Sequence, residues 1–103
     1  MVEKAELCST ELVEKARQKM AEAKKLLEDA VEHLPEEVEN CNTFRLSFWL
    51  GDAAMGYGMA ATALTLFPQD PALNKMQKDI GELYDKAWRL RDRFMEKCKP
   101  PGW

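Results

Sequence analysis

The stretch Phe44-RLSFWLGDAAMGYGMAATALTL-Phe67 decides how this chain folds. At 100° per residue, Phe44, Phe48, Met55, Met59 and Leu66 fall on one stripe of a helix, and Leu46, Leu50, Ala53, Tyr57, Ala61 and Leu64 on a second, nearly opposite. Ser47, Gly51, Gly58 and Thr65 separate the stripes on one side; Arg45, Asp52, Gly56 and Ala63 separate them on the other. A helix apolar on two opposite sides asks to be covered on both. Neighbouring segments cover one side readily, so the second stripe calls for a partner, a ligand or another copy of the chain.

Working outward, prolines divide the chain into three long segments. From about Thr10 to Leu34, apolar residues recur at Leu12, Ala16, Met20, Ala23, Leu27, Ala30 and Leu34, one stripe on an otherwise charged helix. Thr10 or Ser9 suits an N-cap, and Glu11 and Glu14 favour the first turn through the helix dipole. Pro35 disfavours helical geometry at Leu34 and predicts a break there. The second helix then covers about 36–67, either continuous or preceded by an acidic turn and capped by Asn42 or Thr43. Phe67-Pro-Gln-Asp-Pro71 ends it, and Asp70 with Pro71 reads as N-cap and first position of a third helix over about 71–99. Met76, Ile80, Leu83, Ala87, Leu90, Phe94 and Cys98 form that helix's core stripe. These elements predict an all-α, three-helix antiparallel up-down-up bundle as one domain over residues 1–99, self-associating through the central helix, with an extended tail over 100–103.

Composition narrows the function. The 103 residues are 46% hydrophobic and 32% charged, the balance of a folded chain. A net charge of −3 weighs against a general nucleic-acid or anionic-membrane binder. Residues 46–67 are long enough for a membrane span but are diluted by three glycines and hold Asp52, whose insertion at a bilayer centre costs about 2.5–3.5 kcal/mol. The opening Met-Val-Glu-Lys-Ala-Glu lacks the apolar run of a signal peptide. Three scattered cysteines form no metal-binding spacing, and an odd count fits a reducing, cytoplasmic setting. Cys41 and Cys98 fall at the same end of such a bundle; a bond between them is geometrically feasible, with free thiols the more usual state in a reducing compartment.

No catalytic motif appears. His33 stands alone among glutamates, Asp52 has no second acid or nucleophile at a useful spacing, and nothing calls for a cofactor or metal. The basic run Lys86–Lys99 carries six positive and two negative charges, which suits phosphates in isolation. The topology sets it beside Glu28, Asp29, Glu32, Glu36, Glu37 and Glu39, so internal charge pairing is the simpler reading. The helix-two glycines each cost roughly 1 kcal/mol against alanine and need a compensating close approach. The expected function is therefore a small non-enzymatic interaction or regulatory protein that acts through helix–helix contacts, as a homodimer and with another protein. Its expected interface is Trp49, Leu50, Gly51, Tyr57, Gly58 and Leu64, with Arg45 and Asp52 setting register. The alternative is a carrier of a small apolar ligand, its pocket lined by Phe48, Met55, Tyr57 and Met59. Trp103, after Pro-Pro-Gly, is a candidate docking tail.

Overall fold

The computed structural model describes the backbone of residues 2–99 and the side chains of residues 10–99; Cys8 and Trp103 therefore fall outside the described side chains. Three helices follow in order: α1 (Val2–Glu39), α2 (Thr43–Leu66) and α3 (Pro71–Cys98). Each packs against both others in an up-down-up bundle of 59 × 20 × 20 Å. At 1.5 Å per residue, 38-residue α1 alone accounts for the long dimension. No helix among the described residues is long and apolar enough to cross a membrane.

The α1 stripe is the spine of the core. Ala16, Met20, Ala23, Leu27, Ala30 and Leu34 are buried, and only Leu12, near the far end, stays exposed. From α3, Leu73, Ile80, Ala87 and Phe94 are buried against it, with Met76, Leu83 and Leu90 partly covered. Ion pairs hold the flank: Arg17 grips Asp70 through Nη2–Oδ1 at 2.6 Å and Nε–Oδ2 at 3.1 Å, and Lys24 lies 3.3 Å from Asp79. Asp70 also caps α3, accepting from the Leu73 N–H at 3.0 Å, with Pro71 behind it as the sequence predicts. Arg17 hydrogen bonding holds the Asp70 carboxyl below the usual carboxylate range, with the Leu73 N–H adding to the effect.

Two boundaries differ from expectation. The first helix begins at Val2, so neither Thr10 nor Ser9 is its N-cap. It also runs through Pro35 to Glu39, and α2 starts at Thr43 rather than near 36. An interior proline costs about 3 kcal/mol, but stopping at Leu34 would leave Val38, now 5% exposed, outside the core. The chain instead turns over residues 40–42. Cys41 takes the left-handed conformation (φ 51°), its N–H donates to Val38 O, and the Asn42 N–H donates to Glu37 O. That is the Schellman pattern of helix ends, with cysteine where glycine is usual. The Asn42 side chain then caps α2 through the Arg45 N–H.

Cys41 is also bonded to Cys98, with Cα atoms 5.6 Å apart, which corrects the expectation of free thiols. The bond ties the α1–α2 joint to the last turn of α3. Beside it, Lys97 donates to the Glu39 carbonyl at 2.9 Å and lies 3.6 Å from its carboxylate. This is the one ion pair formed, among the described residues, between the basic run of α3 and the acidic corner; Arg89 and Arg91 pair within α3, with Asp85 and Asp92.

Candidate functional site: the outer face of the second helix

The inner face of α2 is built from small residues. Ala53, Gly56, Ala60 and Ala63 are buried with Leu46, as are Ala16, Ala23 and Ala30, spaced by sevens on α1. Contact is closest at Gly56, where an added Cβ would lie 2.9 Å from the Ala23 carbonyl oxygen and 3.3 Å from a Leu27 methyl. Residues of the expected second stripe, Leu50, Tyr57 and Leu64, are half-buried against the core as well. Tyr57 stacks on Tyr84 of α3 with centroids 4.3 Å apart, and Trp49 stacks on His33 of α1 at the same distance. The bundle therefore covers most of the second stripe itself, leaving Ala61 exposed. The stripe left without cover is the first.

That outer face is apolar, with its two charges, Arg45 and Asp52, confined to the edge that borders α1. Phe44 is 84% exposed, Phe48 58%, Met55 59% and Leu66 65%. Alongside them run Ser47, Gly51, Ala54, Gly58, Ala61 and Thr65, all exposed, at steps of four, three, four, three and four. Neither Gly51 nor Gly58 has an atom within 4 Å of where a Cβ would sit, so no contact inside the chain calls for glycine at either position. The Thr62 and Thr65 hydroxyls donate to the Gly58 and Ala61 carbonyls within the helix, which leaves their methyl groups for the surface. A helix face of this width, charged only along one edge, is unusual on an isolated domain and is the form an interaction surface takes.

Where the outer face meets α1, it deepens into an open apolar groove of about 570 Å³. Leu12 and Ala16 form one wall and Met59, Thr62, Leu66 and Phe67 the other, with Lys15 and Lys19 at the rim. It lies at the end of the bundle remote from the disulfide.

The expected site residues thus divide. Gly51 and Gly58 lie on the outer face. Trp49, Leu50, Tyr57 and Leu64 are half-buried against the bundle's own core, which leaves less of each to a partner. Arg45 and Asp52, expected to set register between two chains, lie at the edge of this face; within the chain the Arg45 Nε is 3.5 Å from Oε2 of Glu37, a residue only 5% exposed. Asp52 is half-buried at the groove-side edge and has no ion pair among the described residues. Of the expected pocket, only Met59 lines the groove: Phe48 and Met55 point outward, and Tyr57 packs on α3. Sequence reasoning did not single out Phe44, Leu66 and Leu12, which the structure leaves exposed. The alanines at 16, 23 and 30 carried the missing signal, because a small-residue ridge at that spacing selects Ala53, Gly56, Ala60 and Ala63 as its facing set.

Among the described residues, no three His, Cys, Asp or Glu side chains cluster closely enough to hold a metal ion. No family model, curated protein or solved structure matches this chain.

Proposed function

We propose that this protein is a small non-catalytic interaction module that works as a homodimer, with the outer face of α2 as its contact surface and the remaining surface free to engage and regulate a further protein. One observation carries the reading: a 24-residue helix presents four large apolar side chains and two unneeded glycines to solvent, with charge only at one edge, in Arg45 and Asp52. A face with charge only at one edge gives an unlike partner little to be steered by, whereas a second copy brings a matching surface, as two-fold interfaces require. The glycines allow the two helices to approach closely. The disulfide between Cys41 and Cys98 favours an oxidising setting and weighs against the reducing, cytoplasmic one suggested by the odd cysteine count.

Gly58→Leu tests the reading. Gly58 is exposed with nothing within 4 Å of an added Cβ, so the bundle should remain folded by circular dichroism while light scattering after size exclusion shows a shift from dimer to monomer. A dimer of unchanged affinity would remove this face from the interface. The groove supports a second reading, a carrier of a small apolar molecule. It requires a ligand that co-purifies with the chain and is visible by native mass spectrometry.

A further inference from the structure

We infer that in this dimer the two α2 helices run antiparallel, and that each protomer inserts Phe44 and Phe48 into the α1–α2 groove of its partner. The inference rests on the self-association reading and adds to it the receiving site, the direction and the register.

Both halves of the contact lie on one helix. The aromatic knobs project at its first turns, and the groove opens along its last two. Their centres are 17 residues apart, about 25 Å along the axis. A groove open at one end of a helix and knobs at the other cannot meet within a single chain. Two copies related by a two-fold axis satisfy both ends at once, and midway between them lies Met55.

The register follows from spacing. Phe44, Phe48, Gly51, Met55, Met59, Thr62 and Leu66 step by four, three, four, four, three and four, a series that is the same in either direction. An antiparallel pair centred on Met55 sets Phe44 opposite Leu66, Phe48 opposite Thr62 and Gly51 opposite Met59. Large side chains then face small ones at two of these three levels, the interlocking that close helix packing requires. Gly51, with open space where its Cβ would be, becomes the seat of the partner's Met59.

Lateral geometry agrees. A two-fold axis perpendicular to antiparallel helices keeps both copies of α1 on the same side of the seam. Phe48 and Met59 lie about 40° and 60° around the helix from Phe44, at 100° per residue, in the direction of Ala63 and α1. Phe48 therefore swings toward the partner's α1 and into its groove. Charge agrees too. Docking carries the acidic end of α1, with exposed Glu32, Glu36 and Glu39, toward the groove rim of the partner, where Lys15 has no ion pair among the described residues. A parallel arrangement would stack knobs on knobs, leave both grooves empty and bring the acidic ends together.

Cysteine cross-linking in the full chain, with Cys8→Ser and the Cys41–Cys98 bond retained, tests the arrangement. Met55→Cys should close a covalent dimer under mild oxidation. Phe48→Cys mixed with Thr62→Cys should cross-link, and neither should do so alone. The Phe44→Ala, Phe48→Ala double variant, whose lost groups are exposed in the monomer, should keep its helicity and raise the dimer dissociation constant by about 100-fold or more. If the dimer forms but Phe48→Cys cross-links to itself, or Met55→Cys does not, the antiparallel register is wrong while self-association stands. If light scattering finds only monomer, or native mass spectrometry finds an apolar molecule filling the groove of a monomer, both readings fall.

Discussion

The two faces of α2 use nearly the same residue types to opposite ends. On the inner face, Ala53, Gly56, Ala60 and Ala63 are small because α1 approaches so closely that a methyl at Gly56 would meet backbone. On the outer face, Ser47, Gly51, Ala54 and Gly58 are just as small and exposed, with nothing in the chain within 4 Å of where a Cβ would sit at either glycine. Smallness inside is explained by a neighbour that is present. Smallness outside, beside four exposed large apolar side chains, has no neighbour in the chain to explain it, and the proposed second copy would supply one. The same contrast divides the phenylalanines: Phe94 is fully buried and Phe44 is 84% exposed.

Substitutions can break that contrast or sharpen it. The largest effect is expected at Phe94→Ala, which should cost about 3–5 kcal/mol in chemical denaturation through the cavity it leaves. Phe44→Ala, measured at a dilution where the chain is monomeric, should stay within about 0.5 kcal/mol of the parent. Equal losses at the two positions would mean that Phe44 is covered within the chain.

Reducing the Cys41–Cys98 bond removes a cross-link between residues 57 apart and should cost about 2–4 kcal/mol. Because Cys41 is also the left-handed residue that ends α1, hydrogen exchange should then accelerate first over residues 38–44. Uniform acceleration would separate the bond from the joint.

Among the glycines the sign itself should change. Gly56→Ala forces a methyl to within 2.9 Å of the Ala23 carbonyl and should destabilise the fold by about 1–3 kcal/mol. Gly51→Ala meets nothing and should stabilise the monomer by roughly 0.5–1 kcal/mol through helix propensity. The smallest effect is electrostatic. Because Arg17 lowers the Asp70 pKa in the folded state, the pair's contribution is complete above about pH 4, the unfolded carboxylate value, and fades as pH falls through the lowered one. In thermal melts, Asp70→Asn should lose stability less steeply than the parent on acidification.

Much of this fold is legible in the sequence. The stripes of α1 and α3 each have one apolar side, so their orientation follows from periodicity, and Phe67–Pro71 contains both a stop and a cap. The α1–α2 joint is hidden for a physical reason: the local cost of Pro35 is overridden by burial of Val38 and by a turn whose left-handed residue is a disulfide-bonded cysteine, where no glycine marks it. The candidate site is hidden for another. A helix apolar on both sides does not reveal by itself which side faces in. That choice was made by the alanines of α1, thirty residues away, and it sent Tyr57, Leu50 and Leu64 inward and Phe44 and Leu66 out.

Sedimentation equilibrium of the untagged, oxidised chain across a wide dilution series tests the central claim most directly. A second copy on the outer face of α2 requires a mass of twice 11.8 kDa that dissociates only on dilution, and that falls to 11.8 kDa at the same concentrations when Phe44 and Phe48 are both alanine. A parent chain that sediments at 11.8 kDa at every concentration contradicts it.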